Sequence, residues 1–283
     1  MRAYRVLLLI GIMVGLASYG SSLGEEDGDD PPEAMATLDI ETPVVDPVVP
    51  ASVGASDALS VAAVQGAFEA LTAADTVAYR LVAISDSEEE TSTVTRTGVW
   101  QAAAEAATLT TEISLVEKSN SVSPFGQVAD ALANSDRPST KVDLVLADGV
   151  VTATVEGRSP EVIPAGPKGD ITARAMDPNE TLLKPLIRAF IQLETGVSMD
   201  GGVSYDAVFD ADAVSALAVD ASLRERLMAT GGLTGVGAPA TVVVGADGKL
   251  GVHIDLTPWW AAVKAEAPAV PATTTEIDLV ISA

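Results

Sequence analysis

One histidine, no cysteine and 40 carboxylates are what this chain of 283 residues offers to chemistry. Without cysteine there is no thiol nucleophile, no disulfide and no thiolate metal site. His253 lies in the segment Leu250 to Leu256, out of phase with Leu250, Val252, Ile254 and Leu256, so a strand there turns it away from the apolar face. A Ser–His–Asp triad would depend on this single imidazole, and no Gly-x-Ser-x-Gly elbow presents a serine to it. Paired carboxylates for glycoside hydrolysis can be drawn from so many acids, but sugar platforms are aromatic and aromatic residues are 4% of the chain. The glycine-rich stretch Gly231-Gly232-Leu233-Thr234-Gly235-Val236-Gly237 lacks the Lys and Ser/Thr of a phosphate loop. The cluster Asp27, Asp29, Asp30 lacks the spacing and closing Glu of a calcium loop. Trp259-Trp260 reads either as a packing element or as an amphipathic anchor at a lipid edge. These residues predict no catalytic centre, no metal and no cofactor.

The surroundings agree with that bias. Sixteen basic residues against 40 acidic ones leave a formal charge of −24, which repels nucleic acid and anionic headgroups alike. A hydrophobic fraction of 48% is enough for a substantial core.

Residues 1–20 read as a secretory signal. Arg2 and Arg5 form the positive end, and Val6 to Leu16 is an apolar run far shorter than the ~20 residues of a spanning helix. Leu16-Ala17-Ser18 has the form of a bacterial lipobox, followed by Tyr19 where the acylated cysteine would stand. A phenol cannot form the thioether, so Tyr19 is not acylatable and membrane anchoring there is lost. Residues 21–56 carry an acidic run and then prolines, and read as a solvated linker. The expectation is therefore an exported protein on the outer side of the cytoplasmic membrane, with one folded unit over 57–283.

Within that unit Asp57 can cap a helix over Ala58 to Ala73, with Leu59, Ala63, Gly66, Ala67 and Ala70 on one side and Phe68 and Leu71 widening that apolar face. Alternation and β-branched residues predict strands over Thr76–Ser85, Thr91–Trp100 and Ala107–Leu115. Lys141–Glu156 and Thr241–Leu256 each break at an Asp-Gly pair, Asp148-Gly149 and Asp247-Gly248, which is a hairpin signal. Thr273–Ser282 alternates once more. Helical spacing marks Asn179–Glu194, with Pro185 near its start, and Ala211–Ala229. The sum is α+β, an antiparallel sheet with helices on one face.

Tyr79, Leu81, Leu109, Ile113, Leu144 and Leu146 would share the apolar sheet face, opposed to helical Leu186, Ile187 and Phe190. Two outcomes are open: these residues close into a solid core, or small side chains on a broad curved sheet leave room for acyl chains.

In the order of its segments the chain resembles the actinobacterial LppX/LprG-type lipoproteins and their LolA-like relatives. The segments are the lipobox-like Leu16-Ala17-Ser18, the acidic tether, DTVAYRLVAISD from Asp75 to Asp86, and Gly98-Val99-Trp100. VSYDAVFDADAVSAL from Val203 to Leu217, ATVVVGADGKLGVHIDL from Ala240 to Leu256 and the closing TTTEIDLVISA complete them. The resemblance implies an antiparallel half-barrel whose concave face is covered by helices. It also implies a non-catalytic carrier of acylated lipids or lipoglycans at the cell membrane or envelope, with an envelope transporter as a further partner. The nine apolar residues named above would then line the lipid cavity. The alternative is an envelope protein-binding or sensor domain on the same fold without a lipid.

Overall fold

The computed structural model describes residues 55–88, 90–117, 139–194, 196–199, 201–219, 224, 235–268 and 270–283. The signal segment with Tyr19, the linker up to residue 54 and most of the expected helix beyond Val219 lie outside the described residues.

Helix α1 (Ala55–Thr72) leads into strands β1 (Thr76–Ser87), β2 (Glu90–Gln101), β3 (Ala106–Glu117), β4 (Ser139–Ala147), β5 (Val150–Val155) and β6 (Glu161–Ile163). A helical stretch follows: α2 (Pro167–Met176), a π-helical turn (Asn179–Leu183) and α3 (Lys184–Ala189). Then come β7 (Phe190–Leu193), β8 (Val197–Met199), β9 (Gly202–Asp210), α4 (Ala211–Ser215), β10 (Gly237–Gly245), β11 (Leu250–Asp255), α5 (Thr257–Glu266) and β12 (Thr273–Ser282).

The strands form a single antiparallel sheet that does not close, in the order β6-β5-β4-β3-β2-β1-β12-β11-β10-β9-β7, with β8 on β9. The first and last strands pair at its centre, from Ala78 opposite Ser282 to Ser87 opposite Thr273. Two meanders spread from that seam: β1 to β6 on one side, β12 back to β7 on the other. Tight hairpins make the steps from β4 to β5 and from β10 to β11, while α5 lies between β11 and β12. Asp148 and Gly149 have φ of 52° and 71°, the left-handed pair that an Asp-Gly turn supplies between β4 and β5. Gly248 takes φ of 80° in the turn between β10 and β11.

The helices pack on one face of the sheet, and the alternating residues of every long strand bury against them. Tyr79, Leu81 and Ala83 of β1 stand beside Ile281, Leu279 and Ile277 of β12, which in turn meet Leu250, Val252 and Ile254 of β11. The α+β half-barrel with helices over one face is thus the observed architecture.

Two expected helices take other forms. Helix α1 buries Val64, Phe68 and Leu71, while Ala63, Gly66 and Ala70 face solvent. Burial favours the larger side chains, and exposed alanine serves as a helix former. Asn179–Glu194 is not one helix. Pro185 sits at the first positions of α3 with no N–H to give, and Phe190, at ψ 123°, already belongs to a strand. From there β7 pairs with β9, Phe190 opposite Phe209 and Leu193 opposite Ala207. The pull of an open sheet edge exceeds the helical periodicity of the Leu/Ile residues.

Candidate functional site

The inward face of β1–β5 is built row by row from strand register. Tyr79, Gly98, Leu109, Leu144 and Ala153 stand side by side across five strands. The neighbouring row is Leu81, Arg96, Thr111, Val142 and Val155. On the other side run Val77, Trp100, Ala107, Leu146 and Val151. Every strand presents this set because alternate residues share a face.

Of the residues expected to line a lipid cavity, Tyr79, Leu81, Leu109, Leu144 and Leu146 lie together here, none more than 6% exposed. Ile113, opposite Val94 and Thr140, is half-buried on the same face. The helical three are elsewhere. Leu186 is fully buried in α3, which packs on α4 and β9 rather than over β1–β5. Phe190 sits between Phe68 and Phe209, with ring centroids 6.0 and 4.3 Å away. Ile187 is 44% exposed, because so short a helix turns only Leu186 and Ala189 inward. Placing Ile187 on an interior surface is therefore corrected, and Leu186 and Phe190 belong to the other half of the sheet.

Among the described residues the helix in contact with β3 and β5 is α2, which buries only Gly169, Thr172 and Met176. At its end Asp177 caps the π-helical turn, its carboxylate accepting from the Asn179 N–H at 2.8 Å. Burial holds the Asp177 carboxyl above its usual range, partly offset by that hydrogen bond.

Sequence reasoning missed the polar centre of this face. The Tyr79 ring crosses β2 at Gly98: a Cβ on residue 98 would stand 2.8 Å from the Tyr79 hydroxyl. Burial pushes the Tyr79 phenol up to about 12, against the opposing influence of the Arg96 guanidinium and with the Asp177 carboxylate adding to the rise. Arg96 is half-buried, and its desolvation lowers its pKa from the ordinary guanidinium value. Beside it, Thr111 is 2% exposed, and its Oγ1 has no hydrogen-bond partner. The signal was present in β2, where Thr91, Thr93, Thr95 and Thr97 alternate with Val94, Arg96, Gly98 and Trp100. With four threonines on the outer face, alternation turns the arginine inward.

The other candidates resolve as structural. His253 faces outward and its Nδ1 lies 2.8 Å from Asp278 Oδ1 across β11 and β12. Trp259 and Trp260 are 0% and 4% exposed, so they pack the interior and do not reach a lipid surface. Asp210 caps α4, accepting from the Asp212 and Ala213 N–H groups at 3.0 and 3.3 Å. Burial also raises Asp212, which lies 3.7 Å from Arg224, with its neighbour Asp210 adding to the rise as Glu180 does for Asp177. Among the described residues no group of three or more His, Asp or Glu could hold a metal. A cleft of about 530 Å³ lies at the ends of β1, β12 and α5, between Asp86, Glu88, Trp260, Lys264 and Thr274, away from the β1–β5 rows.

Fold and face together define an open α+β half-barrel with one apolar, helix-covered interior surface. In structure the chain is similar to LprF from Mycobacterium bovis, at 12% identity and a TM-score of 0.41, covering 80% of this chain and 92% of that one. It is also similar to the lipoprotein LppX from Mycobacterium tuberculosis, at 11% identity and a TM-score of 0.38, covering 80% and 94%. No family model and no curated protein matches the sequence. Among the described residues no helix is long and apolar enough to cross a membrane.

Proposed function

We propose that the chain is an exported, non-catalytic carrier of the cell envelope that holds the acyl chains of lipids or lipoglycans against the inward face of β1–β5. The observation that carries this reading is the contrast between that face and its cover. Aliphatic residues of β1, β3, β4 and β5 share this face, with Gly98, Arg96 and Trp100 of β2 among them, yet α2 buries a single large apolar side chain, Met176. Each methylene taken from water contributes ~0.8 kcal/mol, so an acyl chain of about fifteen carbons gains on the order of 12 kcal/mol before costs. That exceeds what three small contacts hold, and α2 gives way to the chain. Release reverses the exchange, with no bond made or broken. The signal-like residues 1–20 and the linker to residue 56 fit an exported protein, with Tyr19 removing the acyl anchor.

Native mass spectrometry of the chain purified from an actinobacterial host tests this. Extra mass that organic extraction removes and identifies as acylated lipid is the expected result. A clean protein mass with no uptake of added lipid would overturn it.

A second reading, a protein-binding domain on the same fold, is favoured by the outer face. Val99, Val145 and Val162 fall in one outward row through Thr108 and Thr152, and are 36%, 44% and 61% exposed. Under that reading Val145→Asp abolishes partner capture while lipid uptake is absent from the outset.

A further inference from the structure

Arg96 is the one cation among the inward positions of β1–β5, in a chain with 40 carboxylates. Among the described residues none gives it an ion pair or hydrogen bond. Glu90, a further charged inward residue, lies six positions away at the far end of β2, roughly 20 Å at strand spacing, and the Asp177 carboxylate at the end of α2 acts on Tyr79. A guanidinium withdrawn from water without an anion is costly, and five N–H donors in a planar fork are left to be satisfied. Two hydroxyls stand beside it. Thr111 is its register partner on β3, buried, with Oγ1 unpartnered. The Tyr79 hydroxyl reaches over Gly98, two positions along β2, and has no hydrogen bond to a described residue. A fork of donors and two hydroxyls, ringed by Leu81, Leu109, Val142 and Leu144, is an oxyanion receptor inside an apolar wall.

We propose that Arg96, Tyr79 and Thr111 bind the oxyanion head of an acyl amphiphile, so that the ligand enters charged end first and its hydrocarbon lies over β3–β5. The inference rests on the carrier reading above and deepens it by assigning the ligand a single negative charge. One guanidinium balances one charge, which a fatty-acid carboxylate and a phosphodiester both carry. Arg96 is only half-buried, so a ligand can reach it. The −24 surface does not recruit such ligands; the interior cation does.

The test titrates the full chain and the variants Arg96→Met, Arg96→Lys and Tyr79→Phe with palmitate, methyl palmitate and dioleoyl phosphatidylglycerol, read by calorimetry. Palmitate or the phospholipid, whichever the site takes, is expected to bind Arg96→Met about tenfold or more weakly, with partial recovery in Arg96→Lys and a smaller loss in Tyr79→Phe. Methyl palmitate, which has no charge to place, binds the full chain and Arg96→Met alike. Thermal melting of the ligand-free variants guards against misfolding: Arg96→Met melts at or above the temperature of the unaltered chain, since a half-buried charge with no ion pair to a described residue has been removed. Loss of a weakened anion together with a lower melting temperature would mark Arg96 as structural and overturn the proposal. Equal binding of both anions to the chain and to Arg96→Met would overturn the oxyanion site and leave the acyl carrier intact. Binding of none of the three ligands would overturn both.

Discussion

The two wings of the sheet solve the same burial problem with different side chains. From β12 to β7 the helical cover brings Phe68, Leu71, Val214, Leu217, Trp259, Trp260 and Val263, all nearly inaccessible, against Phe209, Tyr205 and the valines and alanines of β10. The rings lock together: Trp259 on Trp260 with centroids 4.9 Å apart, Phe190 between Phe68 and Phe209. Trp260 adds a hydrogen bond from its indole N–H to Thr275 Oγ1 at 2.8 Å, which itself lies 2.8 Å from Ser85 Oγ. From β1 to β6 the inward face is largely aliphatic; among the described residues the helix in contact with β3 and β5 is α2, with three buried residues, and no described residue pairs with the Arg96 guanidinium. Large rigid rings make a core that stays shut. Under the carrier reading, the aliphatic side chains beneath α2 are the surface that exchanges its cover for a ligand, since regions of low local stability are where ligand-linked motion occurs.

The sharpest way to break that contrast is truncation in each wing. Trp259→Ala is expected to remove about 3–5 kcal/mol from the urea unfolding free energy, the range for a large buried ring. Leu144→Ala is expected at the low end of its class, about 2 kcal/mol, because α2 can settle onto the smaller side chain. Equal losses in the two wings would mean that both are solid cores, and the carrier reading would lose its physical basis.

Alkaline pH separates the wings next. Tyr79 binds its proton more tightly when folded, at about 12, than in the unfolded chain near 10.0. Its contribution is fully present below about pH 10 and is lost as the pH rises toward 12, because the unfolded state ionises first. The fall is on the order of 2–3 kcal/mol, from 1.36 kcal/mol per unit. Tyr79→Phe should flatten that part of the curve, measured by denaturant titration across pH 9 to 12. A curve unchanged by Tyr79→Phe would show that the phenol is not desolvated in the way the face requires.

Gly98→Ala comes third. Its methyl meets the Tyr79 ring, so a loss of about 1–3 kcal/mol is expected, and Tyr79→Ala in the same chain should cancel most of it. Additive losses would place the ring elsewhere than across β2.

Much of this was legible in the sequence, for reasons that differ by element. The hairpins at Asp148-Gly149 and Asp247-Gly248 were readable because turn geometry is decided by two residues. Strands β1 and β12 were readable because each has one clean apolar face. What failed was information that lies between segments. Phe190 to Leu193 carries helical spacing, and only pairing with β9 makes it a strand. Phe68 and Leu71 of the expected α1 face are covered, but only the position of the sheet shows that Val64 joins them and that Ala63, Gly66 and Ala70 do not. Of the site, the apolar sheet residues could be listed from alternation, but Leu186, Ile187 and Phe190 were joined to them by hydrophobicity alone. Arg96 was passed over because a charged residue in a strand is ordinarily assigned to solvent. The threonine face of β2 carried the contrary signal.

The smallest expected effect concerns the outer face of the β12-to-β7 wing. His253 and Asp278 lie on the outer face of β11 and β12, with side chains 46% and 60% exposed. An exposed pair gains little Coulomb energy in high dielectric and gives up side-chain freedom to form. His253→Ala should therefore change unfolding free energy by no more than about 0.5 kcal/mol and leave lipid uptake untouched. The measurement has weight beyond its size, since His253 is the single imidazole of the chain. Were His253→Ala to abolish uptake or any turnover, the outer face would hold the function, and the division of labour between a locked wing and an exchangeable one would be the wrong description of this molecule.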